Sequence, residues 1–519
     1  MRTSAATIPS TEGNRIEKFL PPLLCCVLAG LAGWSFLQAL SGDTVGIIKD
    51  FYIVPWMLLV LFVLMIPLVY LFATGRFSLF HPLVYPLWSY LFPAFVLGSL
   101  YLAISSYEPS FIGLIPDRHY YIPLALVYVA VGFAGLTVGY SLRIGQCLGE
   151  RLSRRLPAWN WEPDQVIVPC LFLIAAGRLF ELKALSVGAI GYQYSSDPPL
   201  FGNTYYSLVI LSSMANIILW IVIFKAPRFQ LRHYLVLAIL VGLIPYSMMI
   251  VGGKGELLRN VIAILFAYWG AGRRFNVRKG IVAGVLLAFA VFTGMIYGTA
   301  FRQLKGDESK IAVGDYFTLG ASTLSEIANM DIFDNAGFII EKTFTRFETL
   351  TSLSVVVANY KVLRPLEVEY GIENNIWTDT WTSFIPRFFW PEKPLISNAR
   401  AYSALYFDFG DNSYAITPFG DLLRNFGPIG VPLGMAFLGI FLRVMYASLI
   451  KCGEGNPWKL ACYFILLSNV SYEGFYGSIF PGWLRIGAVL FFGGILISMI
   501  VSSLSVKPML YTTIPKSPH

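Results

Sequence analysis

A chain of 519 residues that is 56% apolar and only 13% charged is not an ordinary soluble protein, in which charged residues make up about a quarter. The net charge of +8 invites a nucleic-acid reading, but its placement in short loops between apolar runs makes it a matter of membrane topology. The six cysteines, at 25, 26, 147, 170, 452 and 462, show neither metal-ligand spacing nor a disulfide framework.

A membrane helix needs about 20 residues, and twelve apolar runs predict twelve spans. They cover roughly 19–40, 52–73, 80–104, 120–142, 165–184, 204–224, 233–252, 256–271, 280–300, 429–449, 460–474 and 483–504. The first follows the polar start Met1–Lys18 and no small-residue cleavage site follows it, so it is read as a retained helix, not a signal peptide. Every second connection is basic: Arg76; Arg143, Arg151, Arg154 and Arg155; Lys225, Arg228 and Arg232; Arg273, Arg274, Arg278 and Lys279; Lys451 and Lys459. The N-terminus and the C-terminal tail belong to the same basic set, through Arg2, Arg15, Lys18, Lys507 and Lys516. The positive-inside rule then places both termini in the cytoplasm.

The same alternation places residues 301–428 outside. The predicted organisation is spans one to nine over 1–300, an extracytoplasmic cap over 301–428, and spans ten to twelve with a cytoplasmic tail over 429–519. The cap is too long for a connector and carries aromatic and aliphatic residues throughout, so it is expected as short helices and extended pieces packed on the bundle. From Arg302 to Arg424 it holds 11 Lys and Arg against 16 Asp and Glu. A diffuse cationic funnel is therefore excluded, and particular arginines would have to converge on an anion.

Four stretches carry the candidate chemistry. Gly252-Gly-Lys-Gly-Glu256, with Arg259 a turn later, is predicted as an external helix N-terminus, where amides and dipole favour an anion; a simple tight turn explains it equally. Over Gly337–Tyr360, apolar residues at helical spacing predict one helix. On it Lys342 and Arg346 stand four apart, which is repulsive unless an anion lies between them, or Arg346 meets a distant carboxylate. In Phe384-Ile-Pro-Arg-Phe-Phe-Trp-Pro-Glu-Lys-Pro394, three prolines in nine residues exclude helix and fix a stiff, extended path. That rail presents Arg387, Trp390 and Lys393, either as an aromatic interface anchor with snorkelling cations or as a platform offering a guanidinium to an anion and a ring to a sugar. In Thr417-Pro-Phe-Gly-Asp-Leu-Leu-Arg-Asn-Phe-Gly427, Asp421 and Arg424 have the spacing of a local ion pair, or of a carboxylate base oriented by its arginine. Arg302, Glu473 and Arg485 belong to the same face.

Metal chemistry has little to stand on. Of four histidines only His119 is expected outside, and the first outer loop has no Asp-x-Asp pair.

The rail, the aromatic stretch after it and the 417–427 segment leading into a membrane helix together resemble the bacterial oligosaccharide repeat-unit polymerases, often called O-antigen polymerases. The Lys254 turn and the Arg346-Phe347 element are weaker points of similarity. The resemblance implies an all-α polytopic fold related to the multi-span glycosyltransferases with lipid-linked donors. It also implies cofactor- and metal-independent transfer of a growing glycan from polyprenyl pyrophosphate onto a newly flipped repeat unit, on the outer face of the bacterial inner membrane. Partners would be the polyprenyl-pyrophosphate-linked oligosaccharides, membrane lipids, a flippase and a chain-length regulator. Arginines would stabilise the leaving pyrophosphate: Arg387 is the catalytic candidate, with Lys254, Arg259, Arg302, Arg346, Lys393, Arg424, Arg485 and Trp390 binding substrate. Asp421 and Glu473 are the two candidate bases. A glycan ligase is the rival reading. A transporter is a third, disfavoured because the embedded charges Arg178, Glu181 and Lys183 gather at one span's outer end instead of the midplane.

Overall fold

The structure is a computed structural model that describes residues 50–505, apart from 105–107, 110, 160, 189, 191–200, 274, 307–311, 330–335, 386–388, 396, 411–413, 415 and 454. Among the described residues there is no strand. A lipid-embedded backbone must satisfy its own hydrogen bonds, and an apolar run does so as a helix. The main helices are α1 (Val54–Ala73), α2 (Leu87–Ile104), α3 (Arg118–Ser141), α4 (Arg143–Arg155), α5 (Ile167–Ser186), α6 (Gly202–Lys225), α7 (Leu231–Val251), α8 (Glu256–Gly270) and α9 (Val277–Lys305). There follow α10 (Val313–Asn329), α11 (Ala336–Phe347), α12 (Leu350–Glu369), α13 (Asn375–Thr382), α14 (Ala399–Phe407), α15 (Thr417–Tyr446), α16 (Pro457–Ser468) and α17 (Ile479–Ser505).

Eight of these, α1, α2, α3, α6, α7, α9, α15 and α17, are long and apolar enough to cross a membrane. The chain is thus an all-helical polytopic membrane protein. Of the other predicted spans, 19–40 lies outside the described residues. The span at 165–184 is α5, which carries Arg178, Glu181 and Lys183. Those at 256–271 and 460–474 are α8 with 15 residues and α16 with 12, which at about 1.5 Å per residue are shorter than a bilayer core of roughly 30 Å.

The most extensive helix pair is α3 with α15. In a membrane, close association depends on small residues that let backbones approach. Here Gly132, Gly135 and Gly139 of α3 face Val431, Pro432 and Ala436 of α15, while Gly439 of α15 lies on Leu136. Helix α15 is broken at Gly427 (φ 72°, ψ −169°), just before Pro428. Its first ten residues are therefore a separate short helix, almost wholly buried, that belongs to the cap.

The cap is built from α10 to α14 and this first part of α15. Its expected start at 301 falls inside α9, which continues to Lys305 and stops at Gly306 in the left-handed region. The single helix expected over 337–360 is two, α11 and α12, with Glu348 and Thr349 between them. The break has a cause. The Glu348 carboxylate accepts the amide of Thr351 at 2.7 Å, closing the start of a new helix, while Gly98 of α2 presses on the Glu348 backbone. Glu348 is buried, and burial pushes its carboxyl up to about 7, with the amides of Thr351 and Leu350 pulling it back. A raised carboxyl favours the fold in acid, and that contribution is lost as pH climbs from the ordinary 4.5 through about 7. Glu348→Gln keeps the acceptor and removes the ionisation. We expect its thermal midpoint in detergent to be higher than wild type at pH 8, with the difference vanishing near pH 4.5; a constant difference at all pH values would contradict this.

Candidate functional site

The cap's polar centre forms where α12, α13, α14 and the start of α15 meet the loop between α16 and α17. Arg424, three residues after Asp421 on the buried short helix, donates to Asp421 Oδ1 (3.2 Å), Glu367 Oε1 (3.0 Å), Asn375 Oδ1 (2.5 Å) and the Ile372 carbonyl (2.9 Å). The Tyr402 ring lies 5.8 Å from the guanidinium, and the Tyr406 hydroxyl donates to Glu367 at 2.8 Å. A desolvated guanidinium needs such partners, since an unpaired buried charge is far costlier than a paired one. Asp421 is fully buried, and both its oxygens are engaged. Oδ1 accepts from Arg424 and Asn425, and Oδ2 accepts the Gly477 amide at 3.0 Å and faces the Asn375 amide at 3.5 Å. The expected local ion pair is thus present, as part of a brace closed to solvent.

This brace positions the loop that holds Glu473. Gly477 sits against Asn375 and Asp379 so closely that a Cβ would stand 3.0 Å from each, and the Thr417 amide donates to the Glu473 carbonyl at 3.1 Å. The Glu473 side chain points outward, 39% exposed, and pairs at 2.5 Å with Arg346, 55% exposed. The distant carboxylate that Arg346 lacked in its own helix is therefore Glu473, one of the two candidate bases. Arg424 and Asp421 are joined to this pair only through backbone.

The cap also carries aromatic surface on α13 and the rail. Helix α13 packs on the 476–478 turn and exposes Trp377 and Trp381; Trp390 of the rail stacks on Trp381 (5.8 Å, 28°), and Phe384 and Phe389 are exposed beside them in the chain. The rail's described residues are non-helical, as its prolines require, but the expected extended path is turned instead: the Lys393 amide donates to the Trp390 carbonyl at 3.1 Å. Lys393 is buried and donates to the Ile385 carbonyl at 3.0 Å, so it fastens the rail instead of facing outward. The rail returns at Ser397, whose amide (3.0 Å) and hydroxyl (2.6 Å) donate to Asp379. Burial raises the Asp379 carboxyl to about 6 against the pull of those two bonds, with Asp421 adding to the rise. Arg387 lies outside the described residues.

Backbone strain gathers in the same place. Among the described residues, the non-glycine residues with positive φ are Asn374 (48°), Ser397 (46°), Asp408 (53°) and Thr417 (60°), all in the cap. Asn374 precedes a brace residue, Ser397 is held by Asp379, and Thr417 is held by the Glu473 carbonyl. Left-handed backbone in such residues costs about 1–3 kcal/mol each and persists only where the surroundings over-determine it, commonly at functional sites.

The Lys254 turn is mostly a packing device. Gly252 (φ 60°) lies under Phe301, and the Lys254 backbone rests on Gly294 and Gly298 of α9. The negative charge expected at the α8 N-terminus is supplied by the chain itself: Glu256 occupies the first turn and takes Arg259 at 2.6 Å. Arg259 is nonetheless 77% exposed. Arg302 is exposed at the end of α9, and Arg485 is exposed on α17 with no carboxylate partner among the described residues. Of the embedded charges of α5, Arg178 pairs with Glu181 at 2.7 Å and lies over the Tyr246 ring at 5.2 Å.

Of the residues singled out from sequence, Arg346 and Glu473 come together, as do Asp421 and Arg424. Glu367, Asn375, Asp379, Tyr402 and Asn425 were not foreseen. The one available signal was Arg424 itself, a cation within an apolar run that had to find acids somewhere. No protein-family model, no curated protein and no solved structure matches this chain.

Proposed function

We propose that this chain is a membrane glycosyltransferase that polymerises polyprenyl-pyrophosphate-linked oligosaccharide repeat units on the outer face of a bacterial inner membrane. In this reading the chain crosses twelve times, the short α8 and α16 being accommodated by a locally thinned bilayer, with both termini cytoplasmic and the cap outside, supported by the alternation of basic and non-basic loops. The observation that carries the reading is the solvent-facing Glu473–Arg346 pair, whose loop is held by a buried brace on a cap that also exposes indole and phenyl rings.

The chemistry follows from those groups. The acceptor hydroxyl attacks the anomeric carbon of the donor sugar, its proton passing to Glu473. The bond from that carbon to the pyrophosphate oxygen breaks, and the electron pair leaves with the pyrophosphate. Arg346 and Arg259, with Arg302 and Arg485 along the same seam, face the developing charge. Trp377, Trp381 and Trp390 cover the apolar faces of sugar rings. Between the two candidate bases, exposure favours Glu473; Asp421 and Arg424 position its loop.

Glu473→Gln and Arg346→Ala in the native host test this directly. With the proteins present in the membrane at wild-type level, chain extension is expected to fall about 10²–10⁴-fold, the range of general-base catalysis. Glycans capped by a single repeat unit would then accumulate. Long chains stranded on the lipid carrier would instead mark a ligase. An unchanged glycan ladder would refute the assignment of both residues.

A further inference from the structure

At the end of α15 away from the cap, a cavity of about 800 Å³ opens beside α4, the C-terminus of α6 and the N-terminus of α16. Arg154, Lys225, Lys459, Trp159, Trp161 and Asn456 are among its lining residues. Lys459 is the notable one. It is only 5% exposed, yet among the described residues its ammonium has no hydrogen bond and no ion pair. Its stem is buried, and the ammonium stands in the first turn of α16, at the positive end of the helix dipole, where a cation without an anion is disfavoured.

Among the described residues, Glu150 is the only carboxylate that lines the cavity, and it is occupied elsewhere, accepting from Gln146 at 2.8 Å and facing Lys451 at 3.9 Å. Lys225 is turned onto the Gly455 carbonyl at 3.1 Å, and Arg154 is exposed. The α16 amides are already capped by Asn456, so a ligand here would meet side-chain cations. The neighbouring α4 indicates which ligand. It exposes Ile144, Leu148 and Leu152 at four-residue spacing, with Arg143, Arg151, Arg154 and Arg155 on the same short helix. That is the pattern of a helix lying in the headgroup layer of an anionic membrane. Trp159 stacks on Trp161 (5.6 Å, 9°) just after it, an arrangement suited to the same layer.

We infer that this cavity is a phosphate-binding site occupied by the headgroup of an anionic phospholipid, with Lys459 as its buried anchor and Arg154 at its mouth. The inference is independent of the glycan chemistry at the cap.

The test uses the full-length protein, delipidated in detergent, then given phosphatidylglycerol or inorganic phosphate. Native mass spectrometry and the thermal midpoint are read for wild type, Lys459→Met and Arg154→Gln. Wild type is expected to retain one phosphatidylglycerol and to gain thermal stability from it. Both effects should be lost in Lys459→Met, and the affinity should weaken about tenfold in Arg154→Gln, the solvent-exposed substitution that still reports if Lys459→Met does not fold. Stabilisation by inorganic phosphate alone, sensitive to the same substitutions, would overturn the lipid and assign the site to a soluble phosphate compound. Responses identical in wild type and both variants would overturn the site itself.

Discussion

Arg424→Met is expected to destabilise the folded protein by about 3–5 kcal/mol, the range for removing one partner of a buried ion pair. The side chain is shape-tolerant, so the loss is electrostatic. Methionine leaves the Glu367 and Asp421 carboxylates facing each other across a dry site, together with an unanswered Ile372 carbonyl. Arg424→Lys is expected to recover only part of the stability, because one ammonium cannot meet Glu367, Asp421, Asn375 and Ile372 in the planar fork that arginine offers. Adding Glu367→Gln to Arg424→Met should recover part of it too, since it deletes one of the stranded charges. Reversible denaturation in mixed micelles measures all three. A loss under about 1 kcal/mol for Arg424→Met would mean that water reaches the brace. Activity is expected to fall with stability, because the brace sets the loop that presents Glu473.

Gly139→Val should cost about 3 kcal/mol or more, at the upper end for overpacking, and should deplete the protein from the membrane. A Cβ on Gly139 would stand 1.9 Å from the Ala436 carbonyl oxygen and 2.6 Å from its carbon. The obstacle is backbone, so no rotamer change relieves it; α3 and α15 would have to separate along their whole shared length. The control is Gly242→Ala on α7, where nothing lies within 4 Å of the added carbon. It should accumulate normally and melt no lower than wild type, since alanine is the better helix former. Equal behaviour of the two variants would show that α3 and α15 do not associate through their glycines.

How far each feature was legible depends on the range of the interaction that produces it. The break of α15 at Gly427 and Pro428 and the non-helical rail follow from φ restrictions within a few residues, and both could be read directly. The division of 337–360 could not. Its cause is a side chain, Glu348, capping an amide three residues on while α2 crosses at Gly98, and apolar periodicity runs unbroken across that point. The span expected at 460–474 overran its helix, which ends at Ser468, because hydropathy adds apolar residues from the adjoining turn.

By itself the sequence determined that this is a polytopic helical membrane protein, because bilayer insertion depends on composition averaged over about 20 residues. It also singled out Arg346 as a cation without a carboxylate in its own helix, Asp421 and Arg424 as spaced for a local pair, and Glu473 as a possible carboxylate. Only the tertiary structure decided which partners these residues take. It sends Asp421 and Arg424 into a closed brace with Glu367 and Asn375, and leaves Glu473 facing solvent with Arg346, 127 residues away in the chain. Charge complementarity specifies that a partner exists, but at such separations only packing chooses which one.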